Sequence, residues 1–152
     1  MHVRDLMSTS FKIIAPDTTL RQAAEIMRDH DLGYLPIGEN DRLKGAVTDR
    51  DIVVRGIATG MSGDESVMRV MTDHITYCFE DDTVREAAEV MKAEQIRRLV
   101  VLNEHKRVCG IISLGDIARE HHDRHLTGDI ETAVAQPHSS GTTMDPSLTF
   151  IR

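Results

Sequence analysis

The chain has 152 residues, 40% hydrophobic and 28% charged, the balance of a soluble globule rather than a disordered chain. Its 18 basic and 25 acidic residues leave a formal charge of −7, which opposes nucleic-acid binding, and an aromatic content of 3% without tryptophan leaves no platform for stacked bases. No apolar run approaches the roughly 18 residues of a membrane span and no apolar leader follows Met1, so a cytoplasmic address is expected.

The first expected strand covers residues 12–14. Thr19-x-x-Gln22 is a capping box, and Leu20, Ala23, Ala24 and Met27 make an apolar stripe at helical spacing. Branched residues predict strands over 34–37 and 43–47, joined by a polar turn, and a second helix starts at Asp49. The same order then returns. A strand over 75–79 precedes the capping box Thr83-x-x-Glu86 and the stripe Val84, Ala87, Ala88 and Met91; strands over 98–102 and 108–112 follow, then a helix from Leu114. Cys78 and Cys109 sit in apolar segments without CxxC spacing and read as reduced core residues. Met7, Met27, Met71 and Met91 recur as core fillers. From residue 126 onward a short helix over 128–136, ended by Pro137, leads into a linker-like tail.

The recurrence is a duplication. Val3, Met7, Asp17, Thr19, Arg21, Ala23, Ala24, Glu25, Met27 and Leu35 reappear 64 residues later, and Arg42, Gly45, Asp51 and Ile52 reappear 65 residues later. Repeats at 1–62 and 63–125, followed by a tail at 126–152, are therefore expected. Each repeat reads strand-helix-strand-strand-helix, an α+β unit too small to bury a full core alone, so the two sheets are expected to pack face to face with pseudo-twofold symmetry.

Each repeat ends on Gly-φ-φ-Ser/Thr-x-x-Asp: Gly45-Ala46-Val47-Thr48-Asp49-Arg50-Asp51 and Gly110-Ile111-Ile112-Ser113-Leu114-Gly115-Asp116. Two readings of this corner stand side by side. The hydroxyl and the Asp are the ingredients of a helix N-cap with an acidic third residue. They also suit a nucleotide: the hydroxyl lies beside the first free helix amides, where a phosphate is favoured, and a carboxylate one turn on can accept both hydroxyls of a ribose cis-diol. The glycine permits close packing against a ligand or a neighbouring backbone.

With the duplication and the Leu35-Pro36-Ile37 strand, these motifs make residues 1–125 resemble a tandem pair of CBS (cystathionine β-synthase-type) domains, or Bateman module, of the small stand-alone bacterial or archaeal kind. The resemblance implies that Asp51 and Asp116 bind ribose and that each site borrows from both repeats. Ser113 and Asp116 would act with segments near Lys12 and Gly33-Tyr34, and Thr48, Arg50 and Asp51 with segments near Thr76 and Arg97-Arg98. Lys12 and Thr76 would offer backbone groups to the adenine edge. Arg50, Arg97 and Arg98 are the forked donors suited to phosphates, each with an ordinary surface role as the alternative. Tyr34 departs from the small residue common in the family, and its ring would narrow one site. Arg50 before Asp51, against Gly115 before Asp116, predicts unequal sites.

No catalytic constellation stands out: there is no nucleophile–base pair, CxxC or phosphate-binding glycine loop, so no enzymatic activity is expected. His121-His122-x-x-His125 has two histidines at i, i+4 but lacks a completing ligand, and no metal site is assigned. The expectation is a regulatory module that binds an adenine nucleotide and signals by changing shape, with no obligatory cofactor; AMP, ADP, ATP, NAD and S-adenosylmethionine stay open. The alternative is a ligand-independent dimeric stress or interaction protein with weakly filled clefts. A homodimer through the helices is expected, since Ile52-Val53-Val54 is too apolar for full solvation, and a further protein partner would read the signal.

Overall fold

The computed structural model describes residues 1–40 and 42–120; the expected tail and the three late histidines lie outside them. Helices and two sheets give the expected α+β class. The compact units cut across the duplication. One gathers residues 11–40 and 42–75, the other residues 1–10 and 76–120. Each unit therefore completes itself with the leading segment of the other repeat.

In the unit of residues 11–75, Thr19 Oγ1 accepts from the Gln22 N–H at 3.1 Å and Gln22 Oε1 accepts from the Thr19 N–H at 3.0 Å, so α1 (Leu20–His30) starts at a complete capping box. The helix stops at Asp31 in the left-handed conformation, φ 52°. β1 (Tyr34–Glu39) and β2 (Arg42–Thr48) pair antiparallel, with Tyr34 opposite Thr48, Ile37 opposite Gly45, and a bulge between Ile37 and Gly38. The strand expected over 12–14 is one parallel bridge from Ile14 to Ile37. Ile14 donates to the Pro36 carbonyl at 3.0 Å and accepts from the Gly38 N–H at 2.9 Å. The next bond of that ladder would need an N–H on Pro36, which a proline lacks. The core gathers Ile14, Leu20, Ala23, Met27, Leu35, Ile37, Val47, Ile52, Val67 and Val70. Ala24, expected on the buried stripe, is exposed, and Ile26 packs against the core from the flank.

In the unit of residues 1–10 and 76–120, β3 (Tyr77–Phe79) runs parallel to β4 (Arg98–Leu102), which pairs antiparallel with β5 (Val108–Ser113). Val100 replaces Pro36 at the 64-residue offset and keeps its N–H, so here the third strand forms. A bulge between Val101 and Leu102 repeats the one at Ile37. α2 (Val84–Glu94) has the same capping box, Thr83 with Glu86, and buries all of Val84, Ala87, Ala88 and Met91. The Thr83 backbone N–H holds the Glu86 carboxyl below the usual carboxylate range, helped by the Thr83 hydroxyl. α3 (Leu114–Glu120) follows β5 directly.

The motif glycines mark where the exchanged leading segments dock. Ala46 and Thr72 exchange two backbone hydrogen bonds at 2.9 Å, and Ser8 and Ile111 exchange two at 2.8 and 3.0 Å. A Cβ on Gly45 would stand 2.5 Å from the Thr72 carbonyl oxygen and 2.9 Å from Met71 Sδ; one on Gly110 would stand 2.6 Å from Met7 Sδ and 3.0 Å from the Ser8 carbonyl. Both glycines therefore admit a neighbouring backbone. Met27 and Met91 are buried, and Met7 and Met71 pack partly buried against the two cores. Both cysteines are free thiols, Cys78 buried and Cys109 partly so. Burial pushes Cys78 up to about 12 and Cys109 up to about 11.

Candidate functional site

Each motif forms a strand-to-helix corner. At the first, Asp51 Oδ2 accepts from the Thr48 N–H at 3.0 Å while Thr48 Oγ1 accepts from the Asp51 N–H at 3.0 Å. At the second, Asp116 Oδ2 accepts from the Ser113 N–H at 2.8 Å and from the Ser113 hydroxyl at 2.6 Å, and Ser113 Oγ accepts from the Asp116 N–H at 3.1 Å. The capping geometry is thus complete in both repeats, with the Asp in the place usually held by Glu or Gln. A capped carboxylate still has a second oxygen. The Asp51 and Asp116 side chains are 18% and 19% exposed, so each presents part of its carboxylate to the outside.

The pairing of strands brings further expected residues to these corners. Tyr34 faces Thr48 across the first hairpin, and the Asp49 N–H donates to the Gly33 carbonyl at 3.2 Å. Arg98 faces Ser113 across the second, and the Leu114 N–H donates to the Arg97 carbonyl at 2.8 Å. Arg50 and Arg97 are exposed, and Arg98 is half-buried. Lys12, exposed, precedes the Ile14 bridge, and Thr76, half-buried, precedes β3, so both stand on segments outside the hairpins. Within each unit the structure thus assembles residues of one repeat at one corner, whereas the resemblance pairs residues of opposite repeats.

Two cations escaped the sequence reading. Arg55 Nη1 lies 3.9 Å from Asp51 Oδ1 and donates to the Val70 carbonyl at 3.2 Å. Arg119 Nη2 donates directly to Asp116 Oδ1. Their spacing from the Asp residues, i, i+4 and i, i+3 on a helical segment, is the signal that would have found them. Beyond the corners the repeats diverge. Asp51–Gly56 is a π-helical segment with Val53 and Val54 exposed, followed by exposed Ile57 in a 3-10 turn, while α3 is α-helical and presents Ala118, Arg119 and Glu120. Among the described residues no set of His, Cys, Asp and Glu gathers as metal ligands, and no helix is long and apolar enough to cross a membrane.

Comparison with known proteins supports the same duplication. The chain is 38% identical over 136 residues to Hypoxic response protein 1 of Mycobacterium tuberculosis, spanning 88% of this chain and 94% of that one. A crystal structure of Hypoxic Response Protein I with two coordinated zinc ions has a TM-score of 0.68 and 38% identity, covering 80% of this chain and 99% of that chain. The CBS domain pair of protein MJ0100, in complex with 5′-methylthioadenosine and S-adenosyl-L-methionine, has a TM-score of 0.70 and 26% identity, covering 79% of this chain and 94% of that chain. The CBS domain model matches twice, at residues 3–56 and 67–123, and the chain belongs to the CBS domain family as a tandem pair.

Proposed function

We propose that the chain is a non-catalytic regulatory module that binds an adenosyl ligand through Asp51 and Asp116 and passes its occupancy to a partner as a change of shape. The observation that carries this reading is the duplicated corner, in which a capped but partly exposed carboxylate stands beside the strand-end residues Gly33-Tyr34 in one repeat and Arg97-Arg98 in the other. A CBS pair of similar fold holds two adenosyl compounds, which makes this ligand class the first to test. Ribose would sit on the carboxylates, phosphate or another anion near Arg50, Arg97 and Arg98, and adenine against aliphatic side chains near Lys12 and Thr76. One or two charge-assisted pairs with an aliphatic adenine slot give a free energy of about −7 to −8 kcal/mol, a micromolar dissociation constant.

The same reading includes a homodimer in the cytoplasm. Val53, Val54 and Ile57 form an exposed apolar strip that favours association. A ligand-independent dimeric interaction protein is the second reading, and the closed capping boxes favour it, since the hydroxyl and one carboxylate oxygen of each corner already serve the helix start. Thermal shift and calorimetry with AMP, ADP, ATP, NAD and S-adenosylmethionine separate the two. The adenosyl reading predicts a rise in melting temperature and micromolar binding of at least one; no shift and no heat at millimolar concentration overturns it.

A further inference from the structure

A ribose diol competes with whatever donor already covers the outward oxygen of the carboxylate that is to take it. The two corners differ on this point. At the first, Oδ2 of Asp51 is held by the Thr48 N–H, and the guanidinium of Arg55 stands off Oδ1 at 3.9 Å, tied to the Val70 carbonyl. At the second, Oδ2 of Asp116 is filled by Ser113, and Oδ1 carries Arg119. Both oxygens of Asp116 are therefore occupied by the protein's own donors. The arginine that occupies Oδ1 is 73% exposed, so it is held from one side only and is free to turn outward.

We propose that Arg119 determines which ligands the Asp116 site accepts, admitting anionic nucleotides and discriminating against neutral nucleosides. This rests on the reading of Asp116 as a ribose anchor. A neutral nucleoside must share Oδ1 with the guanidinium or push it aside, and gives it nothing in return. A nucleotide displaces it in the same way, but its phosphate then accepts the forked donor that has left the carboxylate. The cation that the second motif lacks at Gly115 is thus supplied one helical turn after Asp116. The Asp51 site has no such exchange, because Arg55 does not hold Oδ1.

The test uses the full chain carrying Asp51→Ala, which leaves the Asp116 site to be titrated alone, with adenosine and AMP as probes. Arg119→Ala and Arg119→Lys are compared in that background after urea denaturation has checked that each folds. Loss of an exposed ion pair should tighten adenosine about threefold, and loss of the phosphate partner should weaken AMP, so the AMP-to-adenosine preference falls about tenfold. Arg119→Lys, which keeps the charge but not the fork, should fall between. A purely structural role moves both ligands together. A preference changed by less than about threefold in Arg119→Ala overturns the role of Arg119, while an Asp51→Ala chain that binds neither probe at millimolar concentration overturns the ribose reading itself and the inference with it.

Discussion

The two corners start from the same seven-residue pattern and part company within one helical turn. Up to the Asp they coincide: hydroxyl on the amide, carboxylate on the preceding amide, strand partner opposite. After it, the first repeat runs on as a π-helical segment with two valines outside, and the second as an α-helix with an arginine folded back onto the carboxylate. Gly56, buried against Leu20 and Val70, closes the first segment, and the Thr59 hydroxyl donates to the carbonyls of Arg55 and Gly56 at 2.9 Å. The end of a helical segment leaves backbone carbonyls to be satisfied in this way. The duplication thus keeps the part that shapes a corner and varies the helical turn that follows it.

The largest effect that distinguishes the repeats should come from their glycines. Gly45→Ala drives a methyl into the backbone carbonyl of Thr72, a residue fixed by two backbone hydrogen bonds to Ala46, and is expected to cost about 3 kcal/mol. Gly110→Ala meets first the Met7 thioether, the flexible end of a side chain, and is expected to cost about 1 kcal/mol. Urea denaturation of the two variants measures the difference, and equal losses would mean that both leading segments yield alike.

A smaller difference lies in the thiols, which only the second repeat carries. Cys78 and Cys109 take the places of Ile14 and Lys44. The folded-state value for Cys78 is raised, so its contribution is fully present below the ordinary thiol value near 9 and is lost as pH rises toward about 12, because only the unfolded chain ionises in that window. Stability should therefore decline above pH 9, and Cys78→Val should flatten the decline. Iodoacetamide at neutral pH should label Cys109 before Cys78, in keeping with their exposure.

Much of this was legible in the sequence because the evidence was local. Capping boxes at Thr19 and Thr83, the apolar stripes and the duplicated corner are patterns of near neighbours, and each folds as its spacing implies except at Ala24, which is exposed. The misses come from groups that act across the fold. The strand at 12–14 is cut short by a missing N–H on Pro36, a residue of its neighbour, and the docking of Ser8 on Ile111 and Thr72 on Ala46 joins segments that no local pattern connects. Arg55 and Arg119 are the exception: they lie one helical turn after each Asp, where the spacing of charges, and not of apolar residues, marks them.

The central claim is that the two carboxylates anchor an adenosyl ligand at unequal sites, and calorimetric titration of ATP into wild type, Asp51→Ala, Asp116→Ala and the double variant tests it most directly, each first checked for folding. Loss of Asp51 is expected to cost about 2–3 kcal/mol, about 30–150-fold, in ATP affinity at its site. Loss of Asp116 should remove the other site and leave a single class of binding, and the double variant should bind nothing. Full affinity in the double variant, or identical losses in the two single variants, would contradict the account.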